Sequence, residues 1–398
     1  MRKDFEEAVQ DLEDTIDALE EANMPDANIL VAGITGTGKS TLLNAVFGNE
    51  AAKTGTGKPV TDKLYEYNDP NVPIHIWDTV GLELDSAKTE KSISDIRKAI
   101  AEKAASADQF DRIHAIWYCI NSGSNRYQGA ELDFIKALHD MGVPFIIVLT
   151  QCTDIEEKIN AFEETIRRIN TRNGMSDIDV VQVCAKDFQT RLGTIPAFGL
   201  EELVNTTLGR LPAYIKDGFI AAQRVSKDDK RKLCEDNIMK KVTEAYTGFW
   251  DKVPLVNIGT TNKKITGLLS DTAKIYNTIL DDIQLDQIQE RCKLNVENAF
   301  QGLVNPFNKQ YNSNMDRLFA SKKQEGLKVE AKDLPKEERA ARLIAFYGYT
   351  FIDAVEDVWE SINDEELNNM DVIIEKLIER INEHLANNKA KRVKKMGI

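Results

Sequence analysis

The chain has 398 residues, a formal net charge of -14 and a hydrophobic content of 42%, enough for two or three domains with cores of their own. The acidic balance opposes non-specific attraction to a phosphate backbone, so no nucleic-acid partner is expected, and five cysteines without a CxxC pair point to a reducing compartment rather than a disulfide framework. The opening MRKDFEEAVQ lacks the apolar stretch of a secretory signal, and the longest strongly apolar run, VPFIIVL at Val143–Leu149, falls far short of the ~20 residues that cross a bilayer; the expected setting is the cytoplasm.

Residues 1–26 form the first expected segment. Phe5, Val9, Leu12, Ile16 and Leu19 alternate spacings of four and three, giving one apolar seam on an otherwise acidic helix. A helix this short is marginal alone and is expected to pack with a helical domain. Residues 27–212 alternate short β-rich runs with helical ones. The strand candidates are NILVAG, KLYEYN, PIHIWD, IHAIWYCI, FIIVLT and DVVQVC, a pattern that predicts a mostly parallel sheet covered by helices on both faces. Trp77 and Trp117 fall within central strands and are expected in the core.

Residues 213–398 change character and predict an all-helical domain. Ile265, Leu268, Leu269, Thr272, Ile275, Tyr276, Ile279 and Ile283 keep helical spacing, as do Met370, Ile374, Leu377, Ile378, Ile381 and Leu385. KDLPKEER marks a helix start, with Asp333 capping and Pro335 in the first turn. ASKKQEGLKVEAKD predicts an exposed loop. The end of the chain concentrates Lys389, Lys391, Arg392, Lys394 and Lys395. This cluster is either a frayed solubilising tail or a peripheral contact with anionic lipid.

TGTGK occurs twice, at Thr35–Lys39 and Thr54–Lys58. The first copy lies within NILVAGITGTGKSTLLNAVFG, where an apolar strand leads to Gly33, four further residues, Gly38, Lys39 and Ser40, and then a helix. This is G-x-x-x-x-G-K-[ST] in its required strand–loop–helix setting. Glycines let successive backbone N–H groups converge on a phosphate, and the helix N-terminus adds a favourable dipole. Lys39 is expected to bridge β- and γ-phosphates and the Ser40 hydroxyl to bind Mg²⁺. Thr35, Gly36, Thr37 and Thr41 complete the expected phosphate-binding set. The second copy cannot repeat this, because Pro59 stands at the hydroxyl position and offers no N–H. It predicts flexible loop backbone leading to Thr61, whose hydroxyl and carbonyl are placed to reach Mg²⁺ and the γ-phosphate. In DTVG, Asp78 is expected to hold Mg²⁺ through water and the Gly81 N–H to touch the γ-phosphate. Lys39, Thr61 and Gly81 are thus the candidate catalytic groups, and Ser40, Thr61 and Asp78 the candidate metal ligands.

Gly33 to Ser40, Thr61, Asp78 to Gly81 and the CAK at Cys184, Ala185 and Lys186 follow one another as guanine-nucleotide-binding motifs do. The chain therefore resembles a P-loop GTPase. GKSTLLNAVFG, GKPVT and DTVGLE resemble the septin, dynamin and immunity-related GTPases and their bacterial relatives. The resemblance implies an α/β G domain joined to helices from both chain ends, with GTP/GDP and Mg²⁺ as ligands. Leu82 after DTVG, together with the helical appendage, leads to the expectation of a homodimer formed through the G domain, with an unidentified protein partner.

Two features depart from that pattern. The base-reading N/T-K-x-D is replaced by LTQCTD. With Thr150 in first place the aspartate comes one residue late, at Asp154; with Gln151 in first place Asp154 fits, but Cys152 replaces the stacking lysine. A carboxylate is needed to accept the two N–H donors on the guanine edge, and Asp154 is the candidate in reach. The Ala185 N–H is expected at the guanine O6. Second, Leu82 stands where some GTPases carry a water-orienting glutamine, which predicts slow intrinsic hydrolysis. Gly36 occupies the asparagine position of potassium-stimulated relatives, so potassium activation is not expected. Arg126 and Lys58 are available to neutralise transition-state charge, although a solvated surface cation is the plainer reading of each. His75, His114, His139 and His384 lack metal-ligand spacing. The overall expectation is a slow GTPase stimulated by dimerisation, against a nucleotide-gated binding module with negligible turnover or a dynamin-like peripheral membrane-remodelling enzyme.

Overall fold

The computed structural model describes residues 24–48, 58–61, 64–69, 72–79, 87–124, 126–127, 129–191, 193–246, 258–294, 336–363, 366 and 369–395. The expected amphipathic helix over residues 4–23, Thr54–Gly57, Gly81, Leu82, Asp333, Pro335 and the loop at 320–333 lie outside them. The chain divides into two compact units between Phe219 and Ile220.

In the first unit the strands are β1 (Ala27–Ala32), β2 (Lys58–Thr61), β3 (Leu64–Asp69), β4 (Val72–Thr79), β5 (Ala115–Asn121), β6 (Phe145–Thr150) and β7 (Asp179–Gln182). They form one 7-stranded sheet in the order β2-β3-β4-β1-β5-β6-β7. The block from β4 to β7 is parallel, while β2 and β3 extend it as antiparallel strands. All six strand candidates are present. Lys58–Thr61, not among the strand candidates, supplies β2 at the sheet edge, with Pro59 opposite Tyr65. An edge strand tolerates a proline because it need not donate on both sides. A short hairpin of β8 (Phe188–Thr190) and β9 (Gly193–Ile195), also not anticipated, follows the CAK segment.

The helices of this unit are α1 (Lys39–Phe47), α2 (Ala87–Ala104), α3 (Ala130–His139), α4 (Glu156–Arg172) and α5 (Leu200–Arg210), and α6 (Ala213–Ala222) runs across the division. Strand alternation sends side chains to both faces. Leu30, Tyr118, Ile147 and Leu149 pack with Phe134 and Leu138 of α3 and Phe162 and Ile166 of α4. On the opposite face Trp117 stacks on Phe47 of α1 at 5.7 Å and donates its indole N–H to the Thr207 hydroxyl of α5 at 3.1 Å. Trp77 and Trp117 are both buried. β1 lies between β4 and β5, so its carboxyl end opens where the connections diverge, the usual ligand position in open parallel sheets.

The described residues of the second unit are helical: α7 (Lys227–Tyr246), α8 (Ile258–Ile275), α9 (Asp282–Cys292), α10 (Lys336–Ser361) and α11 (Met370–Lys395). The approach of α7 and α10 is close enough that a Cβ at Gly348 would meet Ile238 Cδ1 at 2.5 Å. Arg231 of α7 bridges to Asp353 at 2.9 Å and to Glu356 on α10. Lys230 is fully buried. Its ammonium donates to the carbonyls of Ala221, at 2.6 Å, and Ile275, closing the C-terminal turns of α6 and α8. The Ile265–Ile283 periodicity is broken: α8 stops at Ile275, and Asn277 turns into the left-handed region at φ 60°. Ile279 and Ile283 are 40% and 79% exposed. The cause is a capping box, in which Asp281 and Gln284 satisfy each other's backbone N–H and start α9 anew.

Candidate functional site

The loop after β1 has the form its composition requires. Gly33 has φ +145°, and a Cβ there would sit 2.4 Å from the Cys119 carbonyl oxygen of neighbouring β5. Gly36 and Gly38 are left-handed at φ +82° and +85°. Gly38 caps α1 without any side-chain hydrogen bond, and the first turn carries no acid. The N–H groups of that turn therefore remain available to an anion, on the positive end of the helix dipole.

Lys39 is buried, and its ammonium turns back onto the loop, donating to the Gly33 carbonyl at 3.0 Å and the Ile34 carbonyl at 3.3 Å. Thr37 donates its hydroxyl to the Ile34 carbonyl at 2.9 Å. Thr35 and Ser40 are exposed and Thr41 is half-buried. Asp78 ends β4 opposite Val31. Burial pushes its carboxyl up to about 6 although the nearby Lys39 charge opposes the shift. Its Oδ1 is buried and has no hydrogen-bond partner among the described residues. An orphaned buried carboxylate oxygen beside a phosphate-binding loop fits a small hard cation, which takes oxygen ligands. Asp78 and Ser40 would hold Mg²⁺, whose contribution when bound is to neutralise phosphate charge. The backbone of Thr61 lies in β2 opposite Leu64; its side chain is outside the described residues, as is Gly81.

The LTQCTD segment, expected to read the base, divides into distinct tasks. Thr150 is buried and donates its hydroxyl to the Thr37 carbonyl of the P-loop. Gln151, left-handed at φ 53°, donates from Nε2 to the Gly36 carbonyl at 2.8 Å. Thr150 and Gln151 thus both donate to carbonyls of the P-loop. A tight turn follows, in which the Thr153 N–H donates to the Gln151 carbonyl at 2.8 Å. Cys152 is buried within it, its thiol raised to about 11 by burial. Asp154 emerges exposed before α4, accepting from the Ile155 N–H at 2.8 Å and pairing with Lys158 at 3.1 Å. Those contacts, led by the backbone N–H, hold its carboxyl below the ordinary range. Across β7, Cys184 exchanges two backbone hydrogen bonds of 3.0 Å with Phe198, leaving Ala185 half-buried and Lys186 exposed.

The sequence reading missed Asn121 and Ser122. Asn121 donates from Nδ2 to Gln151 Oε1 at 3.2 Å and accepts from the Gly123 N–H at 2.8 Å. Ser122 donates to the Gln151 carbonyl at 2.8 Å. The only sequence signal was the turn-forming run NSGS. Arg126, in the same segment, is exposed. The four histidines pair within the fold: His75 with Asp26, His139 with Asp177, His384 with Asp357, and His114 with the Asn28 N–H and the Gln109 carbonyl.

Residues 28–151 match the sequence profile of a family described as 50S ribosome-binding GTPase. Interferon-gamma-inducible GTPase 10 of Mus musculus is 22% identical over 312 residues, covering 73% of this chain and 69% of that protein. Interferon-inducible GTPase 1 of Mus musculus is 42% identical over 231 residues, 52% of this chain and 49% of that protein, so the chain spans about half of its length. A solved structure titled as a probable GTP-binding protein engB aligns over 46% of this chain and 97% of its own, at 17% identity and a TM-score of 0.34, too loose a superposition to carry a fold argument. The chain therefore carries a P-loop GTPase domain over residues 28–151 and is similar to the interferon-inducible GTPases.

Proposed function

We propose that the chain is a GTP-hydrolysing switch, slow alone and stimulated when two G domains pair, whose nucleotide state is relayed to its helical unit. The observation that carries the nucleotide site is the buried Lys39 folded onto its own loop beside the orphaned Asp78 carboxylate. Lys39 exchanges the Gly33 and Ile34 carbonyls for phosphate oxygens. The N–H groups at the start of α1 receive the β-phosphate. Ser40 and Asp78 would hold Mg²⁺, and Thr61 and the Gly81 N–H are the groups that would meet the γ-phosphate. Asp154 reads the guanine N–H donors, its carboxylate charge favoured by the Ile155 N–H. Leu82 supplies no hydrogen bond to an attacking water, so an isolated domain lacks one group that catalysis needs. The test is phosphate release from GTP over a wide range of protein concentration: turnover per molecule should rise with concentration, and a constant value refutes stimulation by pairing.

Leu82 also favours a second reading, a nucleotide-gated module with negligible turnover that holds a protein partner. Turnover that stays at background at every protein concentration, with GTP still bound, selects it.

A further inference from the structure

We propose that the β8–β9 hairpin is a surface on which two copies of this chain meet, by antiparallel pairing of β8 with β8 of a second copy across a two-fold axis centred on Gln189. The proposal names a place for the G-domain pairing put forward above and rests on that reading.

The hairpin stands apart from the 7-stranded sheet as a 2-stranded sheet of its own. Among the described residues β8 and β9 pair only with each other. Every residue of β8 is exposed, and Phe188 keeps 44% of its surface in solvent. A two-stranded ribbon is marginal alone, and an open strand edge is a template for another strand. The outer strands of the main sheet are blunted against this. β2 carries Lys58 and Pro59, and the Val180 carbonyl of β7 is taken by Arg167 at 2.8 Å. β8, with the sequence Phe-Gln-Thr, holds neither a charge nor a proline.

The register follows from the turn. Two residues connect Thr190 to Gly193, which face each other, so that pair exchanges both of its backbone hydrogen bonds. Alternation makes Gln189 and Thr194 the next pair, a non-hydrogen-bonded one, whose N–H and C=O groups point away from the hairpin. An axis through Gln189 lets the two copies of that residue exchange both bonds. The same register sets Asp187 opposite Arg191 of the second copy, and does so twice. Both residues are exposed. Asp187 accepts from the Ala197 N–H through Oδ1 at 2.9 Å, and its second oxygen is the acceptor for the guanidinium. Opposite charges directly across a strand pair stabilise it. β9 offers no such match, because the next outward position after Thr194 is Pro196, which has no N–H to donate. An edge this short buries less than the ~1,200 Å² of a stable interface, so the pairing is weak and concentration-dependent.

The test is sedimentation equilibrium of the full chain over a wide concentration range, with GDP and with a non-hydrolysable GTP analogue, beside three variants. Gln189→Pro removes the outward N–H and leaves the hairpin bonds of Phe188 and Thr190 in place. Its self-association should weaken about tenfold to a hundredfold, for two hydrogen bonds lost across the axis. Arg191→Asp and Asp187→Arg each set like charges across the axis, and each should weaken self-association about tenfold. Mixed together, these two variants regain both opposite-charge pairs, and a dimer with one copy of each should form with the affinity of the wild type. Dimers that persist unchanged in Gln189→Pro and Arg191→Asp, or a mixture no more associated than its components, would overturn the hairpin as the surface and leave pairing itself standing. A wild-type chain that stays monomeric with both nucleotides, and whose turnover per molecule is constant with concentration, would overturn the pairing reading as well.

Discussion

Asp78→Asn should make the metal-free protein more stable while weakening its Mg²⁺-dependent grip on nucleotide. Burial raises the Asp78 carboxyl from 3.8 to about 6, so the folded state binds this proton more tightly than the unfolded chain. The stability associated with it is fully present below about pH 4 and is lost as the pH rises through about 6. At pH 7.5 the buried carboxylate therefore costs the fold up to about 3 kcal/mol, from 1.36 kcal/mol for each tenfold change in proton affinity. Asparagine resembles the protonated acid in shape and charge and removes that cost. For a domain of this size the gain corresponds to roughly 6–12 °C in melting temperature. The assay is thermal unfolding in a chelator at pH 7.5 and at pH 4.5, with GTP affinity measured in parallel with and without Mg²⁺. The variant should melt higher at pH 7.5, lose most of that advantage at pH 4.5, and show little gain in affinity when Mg²⁺ is added. Destabilisation at pH 7.5, or a difference independent of pH, would refute the electrostatic reasoning.

Gly33→Ala places a methyl 2.4 Å from a backbone oxygen that cannot step aside; it should cost about 2–4 kcal/mol and abolish nucleotide binding, read by melting and by titration. Lys230 is fully buried and its ammonium is lowered to about 7 by burial, so between pH 7 and 10 the unfolded chain binds one more proton than the folded one and stability rises with pH. Lys230→Met removes this linkage together with both carbonyl contacts. Its cost should grow by about 1.4 kcal/mol per pH unit across that window in denaturant titrations, and a cost that does not change with pH would contradict the assignment.

The P-loop could be read from the chain because every position in it is chemically constrained. Gly33 must clear the Cys119 carbonyl, Gly38 must turn left-handed, and Lys39 must reach from the first turn of a helix. The parallel strands were legible because burial on both faces leaves continuous apolar runs such as FIIVLT. What escaped depends on pairing partners or on competing local signals. The segment at Pro59 becomes a strand only because β3 lies beside it. Ile279 and Ile283 kept the helical period, yet the D-x-x-Q box at Asp281–Gln284 sets the phase of a new helix and outweighs it. In LTQCTD, spacing alone left two alignments open. The structure adds the left-handed Gln151 and the tight turn to Thr153, neither of which residue identities announce. Asn121 was invisible for a similar reason, since its role exists only where β5 and β6 end side by side.

The measurement that tests the central claim most directly is calorimetric titration with GTP, GDP and ATP in Mg²⁺, on the wild-type chain and on Asp154→Ala. The account predicts tight binding of both guanine nucleotides, weak binding of ATP, and loss of that discrimination in the variant. Equal affinity for GTP and ATP, unaffected by the substitution, would leave a P-loop that binds triphosphates and contradict the assignment of guanine recognition to Asp154.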